Sequence, residues 1–472
     1  MQDEQIERES MDFDVVIVGG GPSGLSAAIR LRQLALQAGL DEFMVCVVEK
    51  GSEFGAHTLS GAVIEPRALD ELIPDWKEKG APLNVPVTED RVFYLNSATR
   101  SIRTPDSIIP APMHNQGNYI VSLGNVVRWL AEQAEELEVM MFPGFPASEV
   151  LYNDDGSVRG VLTGDMGVAA DGSQKPSYEP GYELNAKYTI FAEGCRGHLG
   201  KRLISRFALD KDSDPQHYGI GIKELWEIDS SKHEPGVVMH GLGWPLTETG
   251  SSGGWWLYHD ENNQVSFGLV VDLSYHNPYM SPFDEMQRLK THPVIKEVLE
   301  GGKRLSYGAR ALTKGGLNSL PKLTFPGGVL VGDDAGFLNP AKIKGTHTSM
   351  KSGMLAAEAI FAALQSGRQH DEVESYSQMF KDSWLYEDNY SARNFAPAMH
   401  RMGLFMGGAF TFIEHNLLKG KMPLTIRDTT PDYDNLDKAS TSYKPDYPKP
   451  DGKLTFDKLS SVFISNTNHA ED

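Results

Sequence analysis

The stretch VVIVGGGPSG at residues 15–24 constrains the fold more than any other part of the chain. Val15, Val16, Ile17 and Val18 run straight into glycines and predict a short strand buried on both faces. Gly19, Gly21 and Gly24 stand at the spacing G-x-G-x-x-G, and the apolar residues of LSAAIRLRQLALQAG recur behind them at helical spacing. Strand, glycine turn and helix start make the first turn of a dinucleotide-binding fold. Gly19 permits the sharp turn, Gly21 lets a pyrophosphate approach the backbone, and Gly24 lets the helix lie close on the sheet. The free N–H groups at the helix start hold the phosphates. A second apolar strand at 44–48 ends in Glu49, placed where a ribose-binding carboxylate belongs, roughly 20 residues on.

A chain of 472 residues has room for two or three domains with sizeable cores. A net charge of −20 argues against non-specific nucleic-acid binding. The two cysteines, Cys46 and Cys195, exclude a disulfide framework and are too few for the four thiolates of an iron–sulfur cluster. Cys195 has no neighbouring cysteine and reads as non-redox. The acidic start MQDEQIERESMDFD has neither a signal core nor an Arg-rich transit pattern. No apolar run reaches the ~18 residues of a spanning helix.

Along the chain, residues 1–12 read as a disordered lead-in. Gly55, His57, Ser60 and Gly61 follow the second strand and suit close approach to a flat ring; a plain loop is the alternative. Residues 91–95 and 101–104 alternate like strands, 125–137 read as a helix, and NDDG predicts a hairpin. The strand at 188–192 closes on Glu193, Gly194, Cys195, Arg196 and Gly197. Residues 200–312 form a block rich in Trp, Tyr, His and Gly, read as a mostly antiparallel sheet inserted into the dinucleotide fold. Within it Gly253 and Gly254 precede WWLYH, either as a hairpin turn or as bare backbone offered to a planar ligand; His259 reads as structural. Further on, a strand ends in Gly332-Asp333, a carboxylate suited to ribityl or ribose hydroxyls. Asn339, Gly345 and Thr346 then lead into a helix whose positive N-terminus suits the pyrimidine edge of an isoalloxazine. Residues 395–418 are rich in Met, Phe and Gly and are followed by Lys419 and Lys421, which fits insertion into one leaflet. A buried core helix is the competing reading. The polar, Pro-containing tail reads as a linker.

With these motifs the chain resembles the electron transfer flavoprotein–ubiquinone oxidoreductase family, from Phe13 to its end. The resemblance rests on long words in order: GAHTLSGAVIEPRAL, PDWKEKGAPLNVPVTEDR, FAEGCRGHLGK, GLVVDLSYHNPYMSPF, PKLTFPGGVLVG, IKGTHTSMKSG and YPKPDGKLTFDKLSSV. It implies an α/β (α+β mixed) architecture: a glutathione-reductase-type FAD-binding Rossmann fold with an inserted antiparallel-sheet quinone-binding domain. The implied division is an FAD domain at 13–199 and 313–395, a quinone domain at 200–312, a membrane-associating segment at 396–426 and a linker at 427–472. Gly19, Gly21, Gly24, Glu49 and Asp333 match FAD-binding positions, Asn339 and Thr346 the flavin-proximal segment, and Gly253 and Gly254 the pair that meets the quinone head group. The apolar parts around 108–123 and 403–424 match membrane-dipping segments.

The resemblance implies FAD-dependent electron transfer from reduced electron transfer flavoprotein to ubiquinone, with no catalytic dyad and no metal ligand in this chain. The implied partners are that flavoprotein, ubiquinone and a membrane surface, and no nucleic acid. The implied location is monotopic, on the cytoplasmic face of a bacterial inner membrane or the matrix face of the mitochondrial one. The family carries a C-terminal [4Fe–4S] module, and the chain stops where that module would begin, so a truncated product of a bacterial gene is expected, with a cluster domain on a separate polypeptide or its loss as the alternatives. Two other functions share the fold: an FAD-dependent monooxygenase or geranylgeranyl-reductase-like enzyme, and a non-catalytic FAD-binding remnant.

Overall fold

The computed structural model of the protein describes residues 8–58 and 61–465. The apolar run of the fingerprint lies in the strand Ser10–Val18, whose Val15, Val16 and Ile17 are sealed from solvent. They are sealed because Glu183–Phe191 and Val45–Glu49 pair with the strand on its two edges, both parallel. Met140–Pro143 extends the sheet beyond Val45–Glu49, and Gly328–Leu330 extends it beyond Glu183–Phe191. The hairpin signalled by NDDG is Ala147–Tyr152 with Val158–Thr163, attached antiparallel to Glu183–Phe191. Parallel strands covered on both faces carry continuous apolar runs rather than alternation, as this one does.

Two helices of the sheet meet backbone to backbone. Pro22–Gln37 follows the glycine turn, and Thr346–Gln365 returns near the end of the domain. A Cβ built on Gly353 falls 2.2 Å from the Ser23 carbonyl oxygen, so no side chain fits at the crossing. A Cβ on Gly24 falls 2.0 Å from the Gly19 carbonyl oxygen, which is the close helix-to-turn packing that the spacing predicts. Gly19 has φ +110° and would carry a Cβ 2.3 Å from the Ala192 carbonyl, at the end of the neighbouring strand. Any side chain there would push two adjacent strands apart as well as strain the turn.

The second sheet has seven strands. Lys303–Thr313, Tyr218–Glu227, Gln264–Asp272, Gly253–His259 and Val237–Gly243 follow one another antiparallel. The last two strands come from elsewhere. Glu89–Leu95 pairs parallel with Val237–Gly243, and Ser101–Thr104 pairs antiparallel with Glu89–Leu95. The inserted sheet is therefore not built from 200–312 alone, and residues 89–104 belong with it rather than with the first sheet. Local alternation identifies these residues as strands but carries no information about which sheet accepts them.

Two other expectations are corrected. The lead-in is ordered from Arg8, whose guanidinium donates to the Gly181 carbonyl at 3.1 Å, and from Ser10 onward it is strand; residues 1–7 lie outside the described part. The tail from 427 has little regular structure but is no free linker. Arg427 Nε lies 2.8 Å from both Asp214 carboxylate oxygens, and Asn277 Nδ2 donates to the Tyr443 carbonyl at 2.7 Å. Its helix Lys458–Phe463 docks on Lys303–Thr313, where Arg304 donates to Ser461 Oγ at 2.7 Å. Arg304 and Lys290 share the buried Glu224 carboxylate, at 3.1 and 3.0 Å. The expected helix at 125–137 is Leu123–Glu136, with Ser122 as its cap.

The tail is also held by a titratable clasp. His217 Nδ1 lies 2.8 Å from Asp432 Oδ1, and its Nε2 faces Asp428 at 3.5 Å. Burial alone would lower the proton affinity of this imidazole, but the two carboxylates outweigh it and the net shift is upward. A raised folded value means that the clasp contributes fully below about pH 6.5 and is lost as pH rises through that folded value. Proteolytic nicking of residues 427–457 is therefore expected to speed up on going from pH 6 to pH 9, and His217→Asn is expected to nick at one rate across that range. Separately, Gly353→Leu is expected to destabilise the fold by about 3 kcal/mol or more in urea unfolding, because overpacking here meets backbone rather than a movable side chain.

Candidate functional site

The carboxyl ends of the parallel strands carry the first part of the site. Helix Pro22–Gln37 starts at Gly21 with no side-chain cap on its free N–H groups. A Cβ on Gly21 would meet nothing within 4 Å, so the space in front of that helix start is open. Glu49 closes the second strand, and its carboxylate is fixed by the backbone N–H of Gly20 at 2.9 Å and of Gly51 at 2.7 Å. Each oxygen keeps a lone pair for a further donor. An open, uncapped helix start beside an oriented carboxylate fits the diphosphate and ribose of an FAD.

The second part arrives from the far end of the domain. Gly332 has its N–H on Ser352 Oγ at 2.8 Å, and a Cβ there would lie 2.5 Å from Ser23 Oγ. It thus stands between the first turn of one helix and the early turns of the other. Next to it Asp333 is partly exposed and accepts from Thr313 Oγ1 at 2.6 Å, while burial raises its carboxyl above the usual range. The helix Thr346–Gln365 starts at Gly345, again with no side-chain cap. Gly332 therefore joins the uncapped start of Pro22–Gln37 to the second turn of Thr346–Gln365. Asn339 sits differently from the rest. Its Oδ1 accepts from the N–H groups of Ala341 and Lys342, both at 3.0 Å, and its Nδ2 donates to Asp388. Its side chain shapes the loop that precedes Gly345 and Thr346.

Gly253 and Gly254 open the strand Gly253–His259 in the second sheet. A Cβ on Gly253 would fall 2.1 Å from the Val270 carbonyl, so the pair lies against its neighbour strand with bare backbone. Gly250 and Ser252, just ahead of it, line a cleft of about 390 Å³ shared with Met399, His400 and Gly403. Those three belong to the helix Phe395–Phe412, which is broken at Gly403, where φ is +70°. Past the break the helix turns its apolar side chains outward: Phe405 is 77 % exposed, Met406 69 % and, in the following turn, Leu417 66 %. A buried core helix is excluded by those exposures. Asn416 ties this segment to the loop of Ile108, donating to the Ile109 carbonyl at 3.2 Å and accepting from Ala111 N at 2.9 Å. Its base is fixed by Arg393, which reaches the carbonyls of Gly420, Met422 and Leu424.

The remaining candidates are inert or lie elsewhere. His57 is exposed, and Ser60 lies outside the described residues. A Cβ on Gly55 would fall 2.7 Å from the Gly124 carbonyl, and one on Gly61 would overlap Ser266 Oγ, so both glycines permit packing. Burial pushes the Cys195 thiol up to about 12 and that of Cys46 higher still, which leaves neither as thiolate near neutral pH. His259 is buried, accepts the Glu234 N–H on Nδ1 at 3.1 Å and is pushed down to about 4 by burial, so it is neutral and structural. Sequence reading passed over Asp334, a buried carboxyl raised well above the usual range by desolvation and by Glu193. It also passed over His347, one residue beyond Thr346.

An uncapped, glycine-led pair of helix starts on a parallel sheet, with a carboxylate at each of two strand ends, defines the class: a flavoprotein with the Rossmann architecture. A family model described as NAD(P)-binding Rossmann-like domain matches residues 17–73, and one described as ETF-QO, ubiquinone-binding matches residues 218–312. The probable electron transfer flavoprotein-ubiquinone oxidoreductase of Acinetobacter baylyi is 64 % identical over 99 % of this chain and 85 % of its own length. The mitochondrial electron transfer flavoprotein-ubiquinone oxidoreductase of Homo sapiens is 52 % identical over 99 % of this chain and 76 % of its own. The chain belongs to the electron transfer flavoprotein–ubiquinone oxidoreductase family. Among solved structures, a geranylgeranyl bacteriochlorophyll reductase-like protein of Thermoplasma acidophilum superposes with a TM-score of 0.63 at 19 % identity, covering 90 % of this chain and 96 % of that one. An aklavinone-11 hydroxylase bound to FAD and aklavinone gives 0.57 at 16 % identity, over 84 % and 70 %. At such identities the likeness is one of fold, and it carries neither reductase nor hydroxylase chemistry to this chain.

Two substitutions test the cradle. Gly21→Val is expected to fold normally, since its side chain enters open space, yet to retain no FAD on gel filtration. Glu49→Gln is expected to weaken FAD binding about tenfold or more by calorimetry, since it removes a charge-assisted hydrogen bond of ~1.5–3 kcal/mol.

Proposed function

We propose that this chain binds FAD along the two glycine-led helix starts and passes electrons from reduced electron transfer flavoprotein to ubiquinone at a membrane surface. The observation that carries this reading is the near-complete match to the family together with the ubiquinone-binding segment, which spans Gly253 and Gly254. Bound FAD supplies the redox chemistry, accepting electrons singly and yielding them in pairs. Gly21 and the first N–H groups of Pro22–Gln37 hold the diphosphate, Glu49 the ribose and Asp333 the ribityl hydroxyls. Gly345 and Thr346 turn a positive helix end toward the pyrimidine edge of the ring and favour charge there. Asn339 acts at one remove, by fixing the loop that aims that helix.

On the acceptor side, Gly253 and Gly254 offer backbone groups to a quinone ring that enters from the cleft beside Met399 and Gly403. That cleft adjoins the broken helix whose Phe405, Met406 and Leu417 face outward, with Lys419 and Lys421 beyond them. An apolar tip edged by lysines suits insertion into one leaflet from the cytoplasmic side of a bacterial inner membrane, and delivers the cleft to the depth at which ubiquinone resides. Among the described residues no helix is long and apolar enough to cross a membrane.

The test is anaerobic turnover of the FAD-loaded chain with reduced electron transfer flavoprotein and a short-chain ubiquinone. Quinone reduction is expected, with Gly254→Val raising the KM for quinone. Rapid reduction of the flavin by NADPH would instead place the chain with the monooxygenases, and FAD binding without any turnover would make it a non-catalytic remnant. For the membrane arm, the triple variant Phe405→Asp, Met406→Asp, Leu417→Asp is expected to lower co-sedimentation with liposomes at least tenfold. That follows from losing burial of three side chains at roughly 1.5–3 kcal/mol each.

A further inference from the structure

The segment that carries the apolar tip has a charge opposite to that of the chain as a whole. Between 396 and 426 the single acid Glu414 stands against the cations Arg401, Lys419 and Lys421, in a chain whose net charge is −20. Glu414 does not offset them at the surface. It is 0 % exposed, accepts from Asn394 Nδ2 at 2.6 Å, and burial raises its carboxyl above the usual range. All three cations are exposed, and among the described residues none of them makes an ion pair or a side-chain hydrogen bond. The loop of Ile108, tied to this segment by Asn416, leaves the positive excess in place. Its exposed Asp106 is preceded by Arg100 and Arg103, and Arg103 is paired with Glu89 at 2.8 Å.

The backbone sets the three cations beside the exposed apolar side chains. A Cβ on Gly407 would fall 2.8 Å from the Ala398 carbonyl oxygen and 2.9 Å from Met399 Cα, so the helix beyond the break folds back on the part before it. Arg401 and Met402 stand in the resulting bend with Phe405 and Met406. At the other end Leu418 closes the turn that follows, and Lys419 takes φ +51° directly after it, where glycine is the usual residue. The left-handed conformation strains a residue that carries a side chain, and strain kept at a surface position points to a use for that side chain. Lys421 lies beyond Gly420, whose carbonyl accepts from the buried Arg393 at 3.3 Å. Asn394 fixes the same loop further on, through the Leu424 carbonyl and the Ile426 N–H. Two ammonium groups are thus carried on a pinned loop next to the exposed Leu417 and Leu418, and such a loop loses little freedom on binding.

We propose that Arg401, Lys419 and Lys421 bind the phosphate-bearing headgroups of an anionic leaflet as the tip inserts, so that this chain selects membranes rich in acidic phospholipid. The inference rests on the membrane contact proposed above. Burying Phe405, Met406 and Leu417 among acyl chains brings the three cations to the headgroup level, where phosphates supply the anionic partners that the protein does not. The acidic bulk of the chain does not cancel this attraction. At physiological salt, charges more than ~8 Å from the membrane are largely screened, whereas cations among the headgroups are not. A cytoplasmic leaflet carries the required negative potential, and each Lys or Arg close to it gains about fivefold in affinity. Three together give on the order of a hundredfold.

The experiment is co-sedimentation of the FAD-loaded chain with vesicles of phosphatidylcholine alone, and of two parts phosphatidylcholine to one part phosphatidylglycerol. Wild type is expected to bind the mixed vesicles about tenfold or more tightly. It is expected to lose that preference at about 1 M salt, where the Debye length is ~3 Å. The triple variant Arg401→Gln, Lys419→Gln, Lys421→Gln is expected to bind both vesicles equally and to keep its affinity for phosphatidylcholine, since the apolar tip is intact. Lys419→Gly removes one charge while relieving the left-handed strain. It is expected to lose about fivefold of the preference with no fall in Tm, which separates loss of charge from loss of fold. Equal binding of wild type to both vesicles, or an undiminished preference in the triple variant, overturns the inference and leaves the membrane contact standing. An undiminished preference together with a raised KM for the donor flavoprotein would assign the cations to that protein instead. Wild type that binds neither vesicle would overturn the membrane contact itself, and the inference with it.

Discussion

The contact between Gly353 and the Ser23 carbonyl is the constraint from which the site follows. It brings two helices together without intervening side chains, and it does so at the first turn of one and the third of the other. Because Gly332 is wedged at the same place, three stretches far apart in sequence reach one point at the carboxyl edge of the sheet. Each of the two helix starts is led by glycine and lacks a side-chain cap. Their partial charges are thereby left for a ligand rather than neutralised within the protein. A larger residue at Gly353 or Gly332 would separate the two halves of the cradle before it affected the chemistry.

The glycine turn was legible because its signal is local: a buried apolar run, three glycines at fixed spacing and a helix start lie within ten residues. Glu49, Asp333 and the start at Gly345 were legible for the same reason, since each sits where a strand ends or a helix begins. The strands Glu89–Leu95 and Ser101–Thr104 were recognisable as strands, but their destination was not. The partner of Glu89–Leu95, Val237–Gly243, lies more than a hundred residues away, and alternation is blind to partners. The tail shows the converse. Its composition does describe an irregular chain, but it is anchored by scattered side-chain contacts, and such bonds leave no periodic trace.

A charged cluster around His347 was out of reach for a different reason. Glu65, Lys342, His347 and Asp388 come from four separate segments, and each alone is an ordinary polar residue. Only the fold reveals that two carboxylates, an ammonium and an imidazole share a space closed to water on one side. Asn339 illustrates the limit of positional transfer. Its place in the loop before the helix start at Gly345 was readable, whereas the commitment of its amide to that loop and to Asp388 was not.

The excursion of residues 89–104 into the second sheet has a mechanical consequence. The polypeptide crosses between the two sheets more than once, so they are stitched rather than hinged. The span between the helix starts and Gly253 is thereby bridged by several chain crossings rather than by a single linker. It also means that the ubiquinone-binding stretch 218–312 cannot be cut out as a module, because its Val237–Gly243 strand would lose its partner and present a bare edge.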